Sequence, residues 1–180
     1  MFILTGAPGS GKTTVLEKTV KALKDHGISV GGVVSQEVRE GGTRVGFEIL
    51  DLATGKHSWL AHVSQMSGPE FGRYHVNLVD LESVGAKAIV NALANSDVVA
   101  IDEIGPMELF SGLFKAAVEK AFEGDKLIIA VVHFKAHNRL VVESKARADA
   151  EVFVVTERSR IELPDVLVEK VLAFLGRLAT

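Results

Sequence analysis

Short apolar runs and longer stretches with helical spacing alternate along the chain. Five apolar runs have the length of strands: MFIL, SVGGVVS, DVVAID, KLIIAVVH and AEVFVVT. Nearly continuous apolar runs are typical of strands buried on both faces. The spacing of apolar residues predicts helices over residues 12–27, 81–96, 107–124, 136–149 and 163–178. This order predicts an α/β fold, with a mainly parallel sheet and helices on both of its faces.

One segment departs from this alternation. Residues 43–63 contain two runs of alternating apolar and polar positions, separated by the turn sequence ATGK. They predict a β-hairpin inserted into the α/β pattern. A further short strand is expected near RYHV, at residues 73–76. Gly27 and Gly124 follow the first and third helical stretches and predict where those helices end.

Composition narrows the class of protein. The chain has 180 residues and no internal repeat, so we expect one domain over residues 1–180. It is 47% hydrophobic with a net charge of -3, which favours a globular protein without a clear nucleic-acid surface. The absence of cysteine excludes a thiol nucleophile and fits a reducing compartment. Because no signal peptide or bilayer-length run is present, we expect a cytoplasmic monomer without a membrane partner.

A glycine-rich loop follows the first predicted strand and precedes the first helix. GAPGSGKT, from Gly6 to Thr13, matches G-x-x-x-x-G-K-[ST], the pattern of a loop that holds phosphates. Its backbone amides point inward, Lys12 reaches the β- and γ-phosphates, and the Thr13 hydroxyl ligates Mg²⁺. We therefore predict a nucleoside triphosphate substrate, Mg²⁺ as cofactor, and a binding loop formed by Gly6, Ala7, Pro8, Gly9, Ser10, Gly11, Lys12, Thr13 and Thr14.

The strand VVAIDEIG supplies two carboxylates, Asp102 and Glu103. In phosphate-loop proteins a carboxylate at this place holds Mg²⁺, and we assign that role to Asp102. A second carboxylate just beyond it can orient a water for attack on the γ-phosphate, so Glu103 is the candidate water activator. The alternative is that Glu103 caps or pairs at the start of the next helix. With Lys12, these two residues form the predicted catalytic set.

Two further functional hypotheses, a GTPase motif and a role for His133, can be compared with the rest of the sequence. DEIG also fits the D-x-x-G pattern of GTPases, but no N-K-x-D element follows, which disfavours a GTPase of the Ras type. His133 ends a predicted strand, where it either contacts the γ-phosphate or the water, or faces solvent or a backbone carbonyl. His133 and His137 also have a metal-ligand spacing, but without a third ligand a zinc site is disfavoured.

An arginine can stabilise the charge that develops during phosphoryl transfer. The sequence does not rank the candidates near predicted loops, which are Arg39, Arg44, Arg73, Arg139 and Arg147. REGGTR, at residues 39–44, predicts a mobile loop that closes over a triphosphate.

After the last strand, Arg160 of TERSR is placed to pack on the purine, and the alternative is a solvated connection over residues 158–160.

Four stretches together resemble one known family: GAPGSGKTT, GGVVSQEVREGGTRVGFEILDLATGK, VVAIDEIGPMEL and VFVVTERSRIELPD. The chain resembles the nucleoside-triphosphatase family named for thermophiles, with the cancer-related nucleoside-triphosphatase as its human relative. EVREGGTRVGF and DEIGPMEL are the specific segments. The resemblance implies a RecA-like phosphate-loop fold and slow Mg²⁺-dependent hydrolysis of ATP, GTP and other nucleoside triphosphates to the diphosphate and phosphate.

The resemblance also implies roles for single residues. Residues 6–14 form the nucleotide loop, Asp102 is the metal carboxylate and Glu103 the water activator. Family members often carry an arginine or lysine soon after the histidine, and HFKAHNRL offers both Lys135 and Arg139. Two alternatives to a hydrolase stay open at this point: a kinase for nucleotides or other small molecules, and a binding module controlled by nucleotide.

Overall fold

The computed structural model describes residues 1–133 and 139–178. Lys135, His137 and the predicted start of a helix at residue 136 lie outside the described residues. The strands are β1 (Phe2–Thr5), β2 (Val30–Glu40), β3 (Thr43–Asp51), β4 (His57–His62), β5 (Glu70–Phe71), β6 (Tyr74–Val76), β7 (Val98–Ile104), β8 (Leu127–Val132) and β9 (Glu151–Val154). The helices are α1 (Lys12–Asp25), α2 (Leu78–Asp80), α3 (Lys87–Asn95), α4 (Gly112–Glu123), α5 (Arg139–Ala146) and α6 (Leu163–Leu178).

The strands form one mixed sheet in the order β5-β6-β4-β3-β2-β7-β8-β1-β9. The five strands from β2 to β9 in this order are parallel, and they are the apolar runs of the sequence. The other four strands pair in antiparallel fashion beyond β2. The predicted α/β fold with a mainly parallel core is therefore confirmed.

Successive side chains of a strand point to opposite sides of the sheet, so these apolar strands give it two apolar faces. Helices cover both of them. Ile3 of β1 packs with Phe114 of α4 in one apolar cluster, which also contains residues of α3. Leu4 packs on the opposite face with Leu16 of α1 and Leu167 of α6. Burying each of these large side chains stabilises the fold by roughly 1.5–3 kcal/mol relative to exposure.

The predicted hairpin at residues 43–63 is present as β3 and β4, but it is continuous with the main sheet. β3 pairs with β2 along nearly its whole length, from Val33 opposite Asp51 to Glu40 opposite Thr43. For the same reason, the loop predicted at residues 39–44 is instead the end of the β2–β3 hairpin, and its closure over a triphosphate stays a prediction. Arg39 and Arg44 are paired strand residues, and Gly41 and Gly42 between them form the tight end of the β2–β3 hairpin.

Helix ends follow local capping chemistry. α1 is followed by Gly27 with a φ of 78°, and α4 is followed by Gly124, as predicted. α4 begins later than its apolar spacing suggested, because the Ser111 hydroxyl accepts a hydrogen bond from the Phe114 amide and starts the helix there. The predicted helix over residues 81–96 begins as a π-helical turn, Leu81–Ala86. Within the described ranges, no helix is long and apolar enough to cross a bilayer.

Candidate active site

The loop between β1 and α1 has the backbone of a phosphate cradle. Gly9 and Gly11 have φ angles of 77° and 95°, which residues with a side chain rarely adopt. Gly11 precedes the first turn of α1, and that helix N-terminus has neither a side-chain cap nor an acidic residue in its first turn. The first amides of α1 and the positive end of the helix dipole are thus available to an anion.

Lys12 lies across this loop. Its side chain is almost buried, and its Nζ donates to the carbonyl oxygens of Gly6 and Ala7 at 3.2 and 3.3 Å. These bonds hold the ammonium group beside the loop amides. A triphosphate bound in the loop would therefore meet a positive charge that is already in place.

Asp102 lies on β7, opposite Val34 of the neighbouring parallel strand β2. It is 2% exposed, and neither carboxylate oxygen accepts a hydrogen bond of ordinary geometry from the described residues. Burial raises the pKa of Asp102 to about 7, and the nearby Thr13 hydroxyl partly offsets that rise. A buried carboxylate without partners is costly, which points to a ligand that this group is built to meet.

The donor set at this place fits Mg²⁺. The two unpartnered oxygens of Asp102 and the neighbouring hydroxyl of Thr13 are hard oxygen ligands, the type that Mg²⁺ prefers. In the described part of the chain, no group of three or more His, Asp or Glu side chains could hold a metal ion by itself. Mg²⁺ sites commonly have this form, in which one or two protein ligands act together with substrate phosphates and water.

A cleft of about 590 Å³ joins the loop to the end of β7. Of the predicted residues it is lined by Gly6, Pro8, Gly9, Gly11, Lys12, Thr13, Thr14, Asp102 and Glu103. Ala7 and Ser10 belong to the same loop but do not line the cleft. Arg160 lies outside it, next to the loop, with its Cδ 3.3 Å from the place where a Cβ on Gly11 would stand.

The structure bears on one interpretation of Glu103, that it caps the next helix. The next helix, α4, is capped by Ser111 and not by Glu103. Glu103 instead lines the cleft, one residue beyond Asp102 on β7, and a cis peptide bond joins the two. His133 at the end of β8 lines the same cleft, and its backbone amide donates to Ile104 of β7.

One of the five candidate arginines, Arg44 on β3, lines the cleft. Arg39 forms an exposed ion pair with Glu37. Arg73 donates a hydrogen bond to the Tyr74 hydroxyl and does not itself line the cleft. Arg139 and Arg147 pair with acidic neighbours, Glu143 and Asp149. The sequence could not make this choice, because it depends on the pairing of β2 with β3.

Sequence reasoning missed the rest of the cleft lining. It consists of Ser35, Glu37, Phe47, Phe71, Tyr74, Pro106, Met107 and Glu108. Glu108 is 3% exposed, and burial, together with the charges of Glu103 and Asp102, raises its pKa to about 8. The signal that could have found it is the segment DEIGPMEL, which the resemblance marked as specific.

Known proteins are similar to this chain over nearly its whole length. Residues 1–171 match the family model described as NTPase. The chain is 44% identical to nucleoside-triphosphatase THEP1 of Thermofilum pendens, covering 98% of this chain and 97% of that protein. It is 48% identical to nucleoside-triphosphatase THEP1 of Methanosarcina acetivorans, covering 96% of this chain and 97% of that protein.

Two solved structures have the same fold. The crystal structure of THEP1 from Aquifex aeolicus superposes with a TM-score of 0.82 at 30% identity, covering 92% of this chain and 96% of that one. The solution structure of a human cancer-related nucleoside triphosphatase gives a TM-score of 0.76 at 35% identity, covering 92% and 94%. The resemblance inferred from sequence is confirmed, and so is the phosphate-loop fold. The chain therefore belongs to this nucleoside-triphosphatase family of hydrolases.

Proposed function

We propose that this protein hydrolyses ATP, GTP and other nucleoside triphosphates to the diphosphate and phosphate, with Mg²⁺ as cofactor. The observation that carries the proposal is the cleft that joins the glycine-rich loop to Asp102 and Glu103. A loop alone explains the binding of phosphate. A carboxylate pair in the same cleft provides for a metal ion and for an attacking water.

The loop and Lys12 bind the triphosphate in this proposal. The amides at the start of α1 and the Lys12 ammonium surround the β- and γ-phosphates, and the uncapped helix N-terminus adds positive partial charge. Thr13 and Asp102 would hold Mg²⁺, whose bound charge neutralises the phosphate oxygens. These groups position the γ-phosphate and lower the charge that repels a nucleophile.

Glu103 orients and polarises the water that attacks the γ-phosphate in line with the leaving oxygen. Its position in the cleft, one residue beyond the metal carboxylate, supports this role. Arg44, which lines the same cleft, is the candidate for stabilising the charge that develops in the transition state. Most of the acceleration then comes from positioning and electrostatics.

Broad base specificity is supported by what lies near the loop. Arg160 lies beside Gly11, where its guanidinium can stack on any nucleobase, and stacking tolerates every base because each has a π-face. The sequence has no N-K-x-D element that would select guanine. We therefore expect similar turnover of ATP, GTP, CTP and UTP.

The test is phosphate release from these four triphosphates, with and without Mg²⁺. Lys12→Ala should lose nucleotide affinity, whereas Glu103→Gln should keep affinity and lose most turnover. Glu123→Gln, on the exposed end of α4, is the matched control and should behave like the wild type. Faster phosphate transfer to an added nucleoside, sugar or monophosphate than to water would contradict hydrolysis and favour a kinase.

A further inference from the structure

The buried carboxyl group of Glu108 has no role in the proposed binding of nucleotide, Mg²⁺ or water. Glu108 lies in a short helical turn after β7, lines the cleft and is 3% exposed. Within the described residues it makes no ion pair with a lysine, arginine or histidine. An acidic side chain in such a place is seldom retained for packing, because burial disfavours its charged form.

Gly105 brings this group next to Glu103. A Cβ at residue 105 would stand 2.8 Å from Oε1 of Glu103 and 3.0 Å from Oε2 of Glu108. The two oxygens are thus separated by no more than the sum of these distances, and no side chain lies at Gly105 between them. The two carboxyl groups are therefore neighbours in the lining of the cleft.

We propose that Glu108 is a positioning residue for Glu103: as a neutral acid it donates a hydrogen bond to one carboxylate oxygen of Glu103 and aims the other at the attacking water. The inference rests on the proposed function, because it takes Glu103 as the water activator. A neutral acid beside a carboxylate can donate a hydrogen bond to it, whereas a second negative charge at that place would repel it. The raised pKa of Glu108 agrees with a proton held on this side chain.

The surroundings of Glu108 determine which form it adopts. The charges that act on it are those of Glu103 and Asp102, both on β7, and both favour its neutral form. Among the described residues, the other titratable groups that line the cleft are Lys12, Glu37, Arg44, Tyr74 and His133. The backbone amides of Glu108 and Gly105 partly offset the effect of burial. The neutral acid is therefore the form in which Glu108 meets Glu103 at neutral pH.

Three substitutions in the full-length protein test this role by steady-state hydrolysis of ATP with Mg²⁺. Glu108→Gln keeps a neutral donor of the same size and should retain kcat at pH 7 within about threefold. Glu108→Ala removes the donor and should lower kcat by roughly 10–100-fold with KM nearly unchanged, since it disturbs orientation and not nucleotide binding. Glu108→Asp, with a shorter side chain, should fall between them.

The pH profile separates positioning from a merely structural role. Wild-type kcat should fall above pH 8 as Glu108 loses its proton and repels Glu103, and Glu108→Gln should lack that decline. Glu82→Gln is the matched control, because Glu82 bonds Ser111 near the same turn but does not line the cleft. It should keep the wild-type profile.

Two results would overturn the inference: Glu108→Ala with wild-type kcat, or Glu108→Gln losing as much kcat as Glu108→Ala at pH 7. Should Glu108→Ala fail to fold, the comparison of Glu108→Gln with the wild type across pH decides alone, and an identical alkaline decline contradicts the role. Failure of the proposed function has a different signature. In that case Glu103→Gln itself leaves phosphate release unchanged.

Discussion

The Nε atom of Arg44 donates a hydrogen bond to the Tyr74 hydroxyl at 2.9 Å, which ties strand β3 to the short strand β6. Nη1 of the same guanidinium bonds Glu37 at 2.8 Å, and the group lies over the Phe47 ring at 5.2 Å. The antiparallel extension of the sheet thereby fixes a cation in the wall of the cleft. A charge held in advance stabilises a transition state without reorganisation.

Replacing Arg44 should therefore slow the chemical step. We expect Arg44→Ala to lower kcat on the order of 10²-fold, as the loss of a preorganised donor does elsewhere. Arg44→Lys keeps the charge but not the planar fork, and should recover part of the loss. The measurement is kcat and KM for ATP with saturating Mg²⁺.

Arg39→Ala is the matched control for Arg44. Arg39 lies opposite Arg44 in the β2–β3 hairpin, and it bonds Glu37 and the Gly42 carbonyl, but it does not line the cleft. Its replacement should leave kcat within about twofold of the wild type, as surface substitutions generally do. Equal losses in the two variants would show that hairpin integrity, and not the charge of Arg44, supports turnover.

The contrast between these two arginines shows what the sequence could and could not predict. Residue types and spacing were enough to identify the loop and the Asp102–Glu103 strand, because a local motif carries its own geometry. Arg39 and Arg44 are five residues apart in a segment whose glycines suggested a loop. Their exposure to the cleft depends on which strand β2 pairs with and in which register, and this is a long-range property.

For the same reason, the sequence pattern did not identify Glu108 as a buried residue of the cleft. Its burial results from the packing of the turn after β7, with Gly105 allowing Glu103 and Glu108 to approach each other. Nothing in local spacing distinguishes this glutamate from one on a solvated helix. The helix expected from residue 107 begins at Gly112, so the segment before it is free to form a wall of the cleft.

Glu108 should leave a signature in stability as well as in rate. Its pKa is about 8 in the folded protein against 4.5 for an ordinary glutamate, so the folded state binds the extra proton between these values. Binding of this proton adds to the free energy of unfolding. The contribution is fully present below about pH 4.5 and decreases as the pH rises towards 8. Relative to Glu108→Gln, the wild type should lose about 1.4 kcal/mol of unfolding free energy per pH unit in this window.

Urea unfolding of both proteins at several pH values between 4.5 and 8.5 measures this difference. Asp102, whose pKa is also raised, is present in both proteins, so its contribution largely cancels. If the difference in unfolding free energy between the two proteins stays constant with pH, Glu108 titrates like an ordinary glutamate and the prediction is wrong.

Asp102→Asn should lower hydrolytic activity and raise folding stability. Among the described residues, no hydrogen bond of ordinary geometry reaches the buried wild-type carboxylate, so a neutral amide at that place should raise the unfolding temperature of the metal-free protein at pH 8. Turnover should be lost, because the metal carboxylate is gone. Asp97→Asn is the control of opposite sign: Asp97 accepts bonds from Ser29, which lower its pKa, and its replacement should destabilise the protein.

Thermal unfolding without metal, followed by phosphate release with Mg²⁺, measures both effects of Asp102→Asn. A lower unfolding temperature for that variant would mean that the ionised carboxylate contributes to the fold. The assignment of Asp102 as a group kept for a metal would then be wrong.

Gly105→Ala tests the close approach of the two glutamates. The new methyl group would stand within 3.0 Å of side-chain atoms of Glu103 and Glu108, and not of backbone. Flexible side-chain ends can move aside, so we expect a folded protein with unchanged nucleotide affinity and kcat lowered by roughly tenfold or more. Gly112→Ala, where a Cβ meets nothing within 4 Å, should retain full turnover.

The proposed hydrolysis requires that water, positioned by Glu103, attacks the γ-phosphate held by the loop. Hydrolysis of ATP with Mg²⁺ in ¹⁸O-labelled water, followed by mass spectrometry of both products, tests it most directly. We expect one ¹⁸O atom to enter the released phosphate and none to enter the diphosphate. Glu103→Gln should still bind ATP but form little of the labelled phosphate. Label in the diphosphate, or labelled phosphate formed by Glu103→Gln at the wild-type rate, would contradict it.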